Sequence, residues 1–389
     1  MSSMDGDSYM DGDSYMDGDS YMEDDAYAEA GVDTHEADRA VAALVDVLRA
    51  IDPGRSPLAV PLPGHYASVL RLPGLRDAEG REAGIALATD SVGSKVIVAE
   101  QTRRFDTIGI DCVAMNVNDL ICVGAEPLAL LDYIAVEKAD PALLAELAVG
   151  LRTGAEQAGV EIPGGEVCQI PEVLRGHPSP YGFDLVGSAF GLVALDKIVD
   201  GSAIAPGDAM IGLASSGVHS NGLTLARQAT FVDGRLALND HPAELDGASI
   251  ADALLEPTTI YVQAVMALLR SEIDVHGLSH ITGGGLMNLL RLGSGVGYSI
   301  TEPLPVSPIF GLIARCSGIS VAEMWQVFNM GCGFVVIVPA AQADFAVALL
   351  SEFHPGTAVI GAVTAADGVV EIPPLAIRGT RESGKLTAT

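Results

Sequence analysis

DTIGIDCVAMNVNDLICVGAEPLALLDY, residues 106–133, is the stretch whose reading decides the fold class. It places Ile110, Val113, Ala114, Val117, Leu120 and Ile121 at helical spacing, which predicts a helix over 108–123 closed by Gly124 and Pro127. The apolar run 128–136 then predicts a strand. Outward from this pair, 85–89 reads as a strand, 141–158 as a helix and 185–195 as a further strand. An amphipathic helix over 36–50, carrying Val41, Leu44, Val45 and Leu48, stands before them and stops at Pro53-Gly54.

The second half repeats this grammar. DGSAIAPGD (200–208) is a polar Gly/Pro turn and a natural domain boundary. After it come a strand over 209–214, a glycine loop with a helix opening at Leu223, and a long helix over 257–270. A second glycine loop with a helix (283–292) and strands at 334–338 and 357–363 follow. The expectation is an α/β (α+β) protein of two domains, 26–199 and 200–377, with its site in the cleft between them. The polar last dozen residues, 378–389, are expected to fray, and residues 1–25 form a separate tail.

That tail contains MDGDSY three times in tandem (4–9, 10–15, 16–21) and a decayed copy, MEDDAY. With no aliphatic residue and a glycine in each MDGDSY copy, it offers neither a helix stripe nor a core and is expected to be disordered. A calcium loop would need liganding residues where Tyr and Met stand. The whole chain has 21 basic and 51 acidic residues, a net charge of −30. Such a surface repels nucleic acid and anionic membranes, and no run is long and apolar enough for a transmembrane helix. The cysteines, Cys112, Cys122, Cys168, Cys316 and Cys332, are scattered without a CxxC pair, which fits a reducing cytoplasm.

Chemistry concentrates at a few junctions. The strand ending at Thr89-Asp90 runs into SVGSK (91–95), where an acid, Gly93, Ser94 and Lys95 suit either a metal-bound nucleotide phosphate or an ordinary turn with a surface lysine. This is not a Walker A loop. Asp111, Asn116, Asn118 and Asp119 lie in an otherwise apolar helix, with Asn116 and Asp119 on one face. Polar groups there are costly unless paired or liganded, which makes Asp119 a metal candidate. IPGGEVCQIP presents Glu166 after Gly164 and Gly165, while Cys168 has no neighbouring base and reads as a small buried side chain. SSGVHSNG (215–222) and HITGGG (280–285) are glycine loops before helices, suited to phosphate. His219 is either an acid–base group or a turn cap. FNMGCG (328–333) reads only as a tight turn leading into the strand FVVIVP.

In this order the motifs resemble the phosphoribosylformylglycinamidine cyclo-ligase (aminoimidazole ribonucleotide synthetase) family, from AYAEAGVD (26–33) to about residue 363. They are TDSVGSK, the 106–133 stretch, PGGE, SSGVHSNG, LEPTTIYV (255–262), HITGGG and FNMGCG. The resemblance implies closure of formylglycinamidine ribonucleotide to aminoimidazole ribonucleotide with conversion of ATP to ADP and phosphate. It implies a fold of two α/β domains, dimerising through the N-terminal half, and a cytoplasmic homodimer. The implied cofactors are ATP and Mg2+, with K+ as a further candidate.

Carried over residue by residue, Asp90, Asp119, Glu166 and His280 become metal candidates. Asp90, Gly93, Ser94, Lys95, Asn116, Gly283, Gly284 and Gly285 line ATP. Gly164, Gly165, Ser216, Gly217, His219, Ser220 and Asn221 line the substrate, and Lys95 and His219 are the catalytic candidates. The chain departs from the family at Ser91 (Gly there), Ser94 (Thr), Ala28 (Lys), Val167-Cys168 (Thr-Ala) and PGHYASVL (63–70), which replaces a glycine-rich segment. A thiamine-monophosphate kinase-like enzyme, selenophosphate synthetase or hydrogenase-maturation ATPase, and a non-catalytic nucleotide-binding paralogue, are the alternatives.

Overall fold

The computed structural model describes residues 30–31, 34–48 and 50–389; the acidic repeat lies outside the described residues. Helix α1 (Thr34–Leu48) leaves Val41, Leu44 and Leu48 of its apolar stripe exposed. The first half is built on a five-stranded sheet of β1 (Ser68–Arg76), β2 (Glu82–Ser91), β3 (Glu126–Val136), β4 (Glu161–Gln169) and β5 (Phe183–Ala194). Its order is β1-β2-β5-β3-β4, antiparallel except for the parallel β3–β4 pair. Three helices, α2 (Lys95–Thr102), α3 (Ile108–Cys122) and α4 (Pro141–Ala158), accompany it.

Helix α3 is the central element of this half, with all but Ile110 and Asp119 buried. It meets α4 closely because Gly109 and Gly150 face each other: a Cβ on Gly109 would lie 2.5 Å from the Gly150 carbonyl carbon. Asp140 caps α4 by accepting from the Ala142 amide, and Gly159 ends it in the left-handed conformation.

The second half is an eight-stranded sheet of order β13-β12-β11-β8-β10-β6-β9-β7. Its strands are β6 (Ala209–Ala214), β7 (Gly277–His280), β8 (Gly297–Ile300), β9 (Cys332–Val338), β10 (Ala358–Thr364), β11 (Val369–Ile372), β12 (Ile377–Thr380) and β13 (Leu386–Ala388). Every residue of β9 is buried, as a continuous Val/Ile run predicts for a strand covered on both faces. The helices are α5 (Leu223–Arg227), α6 (Ile250–Leu255), α7 (Val262–Leu269), α8 (Pro308–Ser317), α9 (Val321–Val327) and α10 (Ala343–Ser351). All five cysteines are free, with Cys168 only half-buried. Among the described residues no helix is long and apolar enough to cross a membrane.

Three expectations need correction. The helix expected over 257–270 begins only at Val262, after α6 and an irregular segment 256–261. The backbone N–H groups of Thr258 and Thr259 bond to side chains from elsewhere, so tertiary bonds override the local helical pattern. The helix expected over 283–292 is a 3-10 helix, Gly285–Arg291. The C-terminal residues do not fray: β13 pairs with β12, Leu386 is buried, and its amide donates to the Gln326 side chain at 2.8 Å. A buried leucine outweighs the polarity around it.

Candidate active site

The C-terminal end of β2, the exposed edge of α3, and the last residue of β7 meet between the two halves. Asp90 comes from β2, Asp119 from α3 and His280 from β7. Asn118 and Asp119, neighbours on α3, engage His280 from two sides. Asn118 Oδ1 accepts from the Tyr261 amide at 3.0 Å, which turns its Nδ2 toward the Thr259 carbonyl (2.9 Å) and His280 Nε2 (3.5 Å). Nε2 is therefore the acceptor, and His280 Nδ1 donates to Asp119 Oδ1 at 2.9 Å. The His280 side chain is 1% exposed and that of Asp119 19%. This corrects the placing of His280 as a metal ligand: both ring nitrogens are engaged, and the ring orients Asp119, which keeps its outer face open.

Asp90 is half-buried, and burial, with the nearby Asp119 charge adding to it, pushes its carboxyl up to about 6. Asn116, wholly buried, donates from Nδ2 to the Asp90 carbonyl at 3.2 Å and to the Cys112 carbonyl at 2.8 Å. Its Oδ1 is left buried without a partner. A pair of like-charged carboxylates beside an unpaired amide oxygen is an environment that a hard cation relieves. Mg2+ on a nucleotide needs only one or two protein carboxylates, the remaining ligands being phosphate oxygens and water. Among the described residues no group of three or more His, Cys, Asp and Glu is placed to hold a metal ion by itself.

Glu166, Gly164 and Gly165 do not join this cluster within one chain. Asp90 pairs with Gly187, Gly187 with Asp132, and Asp132 with Gly165, so the PGGE strand lies three strand spacings, roughly 14 Å, from Asp90. β4 is the sheet edge, and Gly164, Gly165 and Glu166 are all exposed there.

Lys95 is corrected as a phosphate-facing or catalytic group. It opens α2 with its side chain 0% exposed, and Nζ donates to Asp111 Oδ1 (2.9 Å) and to the Glu256 carbonyl (2.6 Å). Gly93, in the left-handed conformation with open space beside it, and half-buried Ser94 remain at the mouth, Ser94 Oγ 2.9 Å from Thr224 Oγ1.

The SSGVHSNG loop is likewise divided. Ser216 is exposed and Asn221 half-buried, whereas Gly217, Val218, His219 and Ser220 are buried. His219, at φ 64°, accepts at Nε2 from the amides of Ser216 (3.2 Å) and Thr259 (3.4 Å). Burial first, with His280 and the Lys95 ammonium nearby, holds its imidazole well below the ordinary 6.5. It braces the loop as a neutral ring, and its protonated Nδ1 is buried without a partner. Ser220 Oγ donates to Asp111 Oδ1 at 3.2 Å, so it too faces inward.

The HITGGG glycines line the same junction from the second half. A Cβ on Gly283 would stand 3.6 Å from the Asn221 amide, and Gly284 has φ 97°, which L residues avoid.

Asn329 and Tyr66 complete the site and were not singled out from sequence. Asn329, in the FNMGCG turn, accepts from Ser215 Oγ (2.7 Å) and donates to the Gly217 carbonyl (2.8 Å), so this turn holds the SSGVHSNG loop. Its signal was an asparagine between glycine-flanked turns. Tyr66, from the divergent PGHYASVL segment, reaches Ser279 Oγ at 2.6 Å and lies under the Arg291 guanidinium. A cavity of about 480 Å³ opens elsewhere, along α4 beside Leu151, Ala155, Val160 and Ile162. Asp132, Arg152 and Glu156 also line it, but no glycine-rich loop opening a helix does, so it is not the better site.

Comparison with known proteins identifies the family. Residues 64–193 match the family model "AIR synthase related protein, N-terminal domain", and 205–372 match the corresponding C-terminal domain. The phosphoribosylformylglycinamidine cyclo-ligase of Methanobrevibacter smithii is 45% identical over 77% of this chain and 84% of its own. That of Thermococcus gammatolerans is 44% identical over 88% of this chain and 96% of its own. Among solved structures, hydrogenase maturation protein HypE in complex with ATP aligns with TM-score 0.54 and 22% identity, covering 79% of this chain and 85% of its own. Thiamine monophosphate kinase from Aquifex aeolicus aligns at 0.52 and 17%, covering 74% and 88%. Those two likenesses establish the shared fold, whereas the identities to the cyclo-ligases extend over nearly their whole length. The chain belongs to the phosphoribosylformylglycinamidine cyclo-ligase family.

Proposed function

We propose that Asp90 and Asp119 hold the magnesium ion of ATP at the junction of the two halves, and that Ser216 and Asn221 present the ribonucleotide beside it. The chain is an ATP-dependent ligase of purine biosynthesis that closes formylglycinamidine ribonucleotide to 5-aminoimidazole ribonucleotide. An amide oxygen leaves poorly until it is phosphorylated. Transfer of the ATP γ-phosphoryl group to the formyl oxygen lets the amidine nitrogen attack that carbon, and phosphate departs as the ring closes. Such chemistry asks the protein for alignment and charge neutralisation more than for a protein nucleophile.

The observation that carries this division of labour is the convergence of Asp90, Asn116, Asp119 and His280 from three separate elements beside a glycine-rich loop. The bound magnesium would neutralise developing charge on the transferred phosphoryl group. Asn116 fixes the backbone at Asp90, and His280 turns the Asp119 carboxylate outward. Gly93 and Gly283–Gly285 let backbone approach phosphate. K+ is retained as a second cation to be tested in the assay.

A homodimer through the N-terminal half is supported by the exposed Leu128, Leu131, Tyr133 and Val167 on β3 and β4, an apolar area that a partner would cover. Free cysteines and an acidic surface suit the cytoplasm.

The test is incubation of the purified protein with formylglycinamidine ribonucleotide, MgATP and K+. Substrate-dependent ADP release with formation of the aminoimidazole supports the proposal. ATP left intact, or hydrolysed with no aminoimidazole, sinks it and favours a silent paralogue. Omitting K+ from the same assay reads that cation directly. Sedimentation at equilibrium reads the dimer.

A further inference from the structure

The most heavily bonded polar group between the two halves is one that the reaction does not use. Asp111 lies in the first turn of α3, wholly buried, about 12 Å along the helix from Asp119. Its Oδ1 receives Lys95 Nζ (2.9 Å), the Thr258 amide (2.8 Å), Thr258 Oγ1 (2.6 Å) and Ser220 Oγ (3.2 Å). Lys95 also donates to the Glu256 carbonyl at 2.6 Å, and Ser220 Oγ stands 3.2 Å from Thr258 Oγ1. Lys95 and Asp111 belong to the first half of the chain, while Ser220 and residues 256–258 belong to the second. The segment 256–259 is irregular rather than helical, and its other side is tied to the substrate loop. Ser216 Oγ donates to the Pro257 carbonyl (2.5 Å), and His219 Nε2 accepts from both Ser216 and Thr259.

We infer that Lys95 and Asp111 form a buried ionic latch whose task is to position the substrate loop 215–222, acting through the strap 256–259. They are positioning residues: neither reaches the cleft, yet every polar tie from the first half to Ser220 and Thr258 converges on one carboxylate oxygen. An ion pair taken wholly out of water gains little net stability, because desolvation offsets the attraction. What it supplies here is a fixed point. An apolar pair of the same volume would fill the space but would give Thr258 and Ser220 nothing to bond, leaving the strap and loop without a register. The latch's direct bonds run to Ser220 and Thr258 and not to the Asp90 or Asp119 carboxylates, so its effect is expected on the ribonucleotide rather than on ATP. This inference rests on the assignment of loop 215–222 to the ribonucleotide.

The experiment measures steady-state kinetics of the full-length enzyme, varying each substrate in turn, on Thr258→Val and Thr258→Ser. Thr258 is buried and touches no part of the cleft, and valine keeps its shape while removing the hydroxyl donor. The inference expects Thr258→Val to raise KM for formylglycinamidine ribonucleotide roughly tenfold or more, with KM for ATP within about twofold of wild type. Thr258→Ser, which restores the hydroxyl, should return both constants to near the wild-type values. A Thr258→Val enzyme with an unchanged ribonucleotide KM overturns the latch, even if its melting temperature falls, because a purely structural bond would behave that way. An equal rise in both KM values overturns it as well.

Ser216→Ala and Asn221→Ala separate the two layers of the argument. If they raise the ribonucleotide KM and Thr258→Val does not, the latch alone is wrong. If neither changes that KM, the assignment of the loop is wrong and the latch falls with it.

Discussion

Helix α3 carries two aspartates treated in opposite ways. At its first turn Asp111 is sealed from water, matched by Lys95 and loaded with donors from the second half. Two turns later Asp119 is partly open, held on one side by His280, with the carboxyl of Asp90 close enough to repel it. The first charge is matched by a buried ammonium at Oδ1, with Oδ2 left buried and unbonded, whereas among the described residues the second has no protein cation within ion-pairing distance other than an imidazole engaged from both sides. An acid whose neutralisation is left undone marks where a ligand supplies it; an acid neutralised internally marks scaffold. The helix is thus a ruler with a structural end and a chemical end.

The sharpest way to break this contrast is to remove one charge at each end. Lys95→Met leaves Asp111 buried without its cation and should cost about 3–5 kcal/mol of stability, read as a shift in the urea midpoint. A loss below about 1 kcal/mol would place Asp111 among ordinary surface-like acids. Asp119→Ala should do the reverse: turnover falls on the order of 10³-fold with the urea midpoint nearly unmoved. Near-normal turnover would take Asp119 out of the metal site.

Gly333→Ala probes the wall behind the loop, since the added methyl would meet the Tyr261 hydroxyl and lie 2.7 Å from His219 Cε1. The expected loss is about 1–3 kcal/mol, accompanied by a higher ribonucleotide KM. A stability unchanged from wild type would show that the ring can retreat.

The neutral His219 gives a smaller, pH-dependent effect. Its folded-state pKa lies well below the ordinary 6.5, so below pH 6.5 the unfolded chain binds a proton that the folded chain refuses. Stability from this group is therefore present above pH 6.5 and lost as pH falls toward its folded value. His219→Asn, which tolerates the left-handed backbone at this position, should flatten the dependence of melting temperature on pH between about 6.5 and 5. An identical slope in both proteins would mean that another group titrates there. Smallest of all, deleting residues 1–21 should leave the rate unchanged, because the repeat has no aliphatic residue with which to pack on either half; a large loss would contradict that reading.

Much of this was legible along the chain. The stripe Ile110-Val113-Val117-Leu120 set α3, the Gly/Pro turn at 200–208 separated the sheets, and the motifs from TDSVGSK to FNMGCG carried the family. Asp90 and Asp119 were legible as ligand candidates because each is an acid set where apolar residues or a strand end should be, and the structure brings the two together. Lys95, His219, Ser220 and His280 were equally conspicuous, yet they support the site from behind. Glu166 and its glycines lie at the far sheet edge.

Residue type and spacing determined the helices, the strands and which groups are chemically capable. Only the tertiary structure decided which of those groups face the cleft. A lysine opening a helix reads the same whether its ammonium meets phosphate or a buried aspartate. The choice depends on partners more than a hundred residues away, such as Glu256, whose carbonyl receives Lys95 Nζ, and Thr258, which bonds Asp111. Hydrophobic periodicity is a local property of the chain, whereas the pairing of a buried charge is settled only when distant segments close around it.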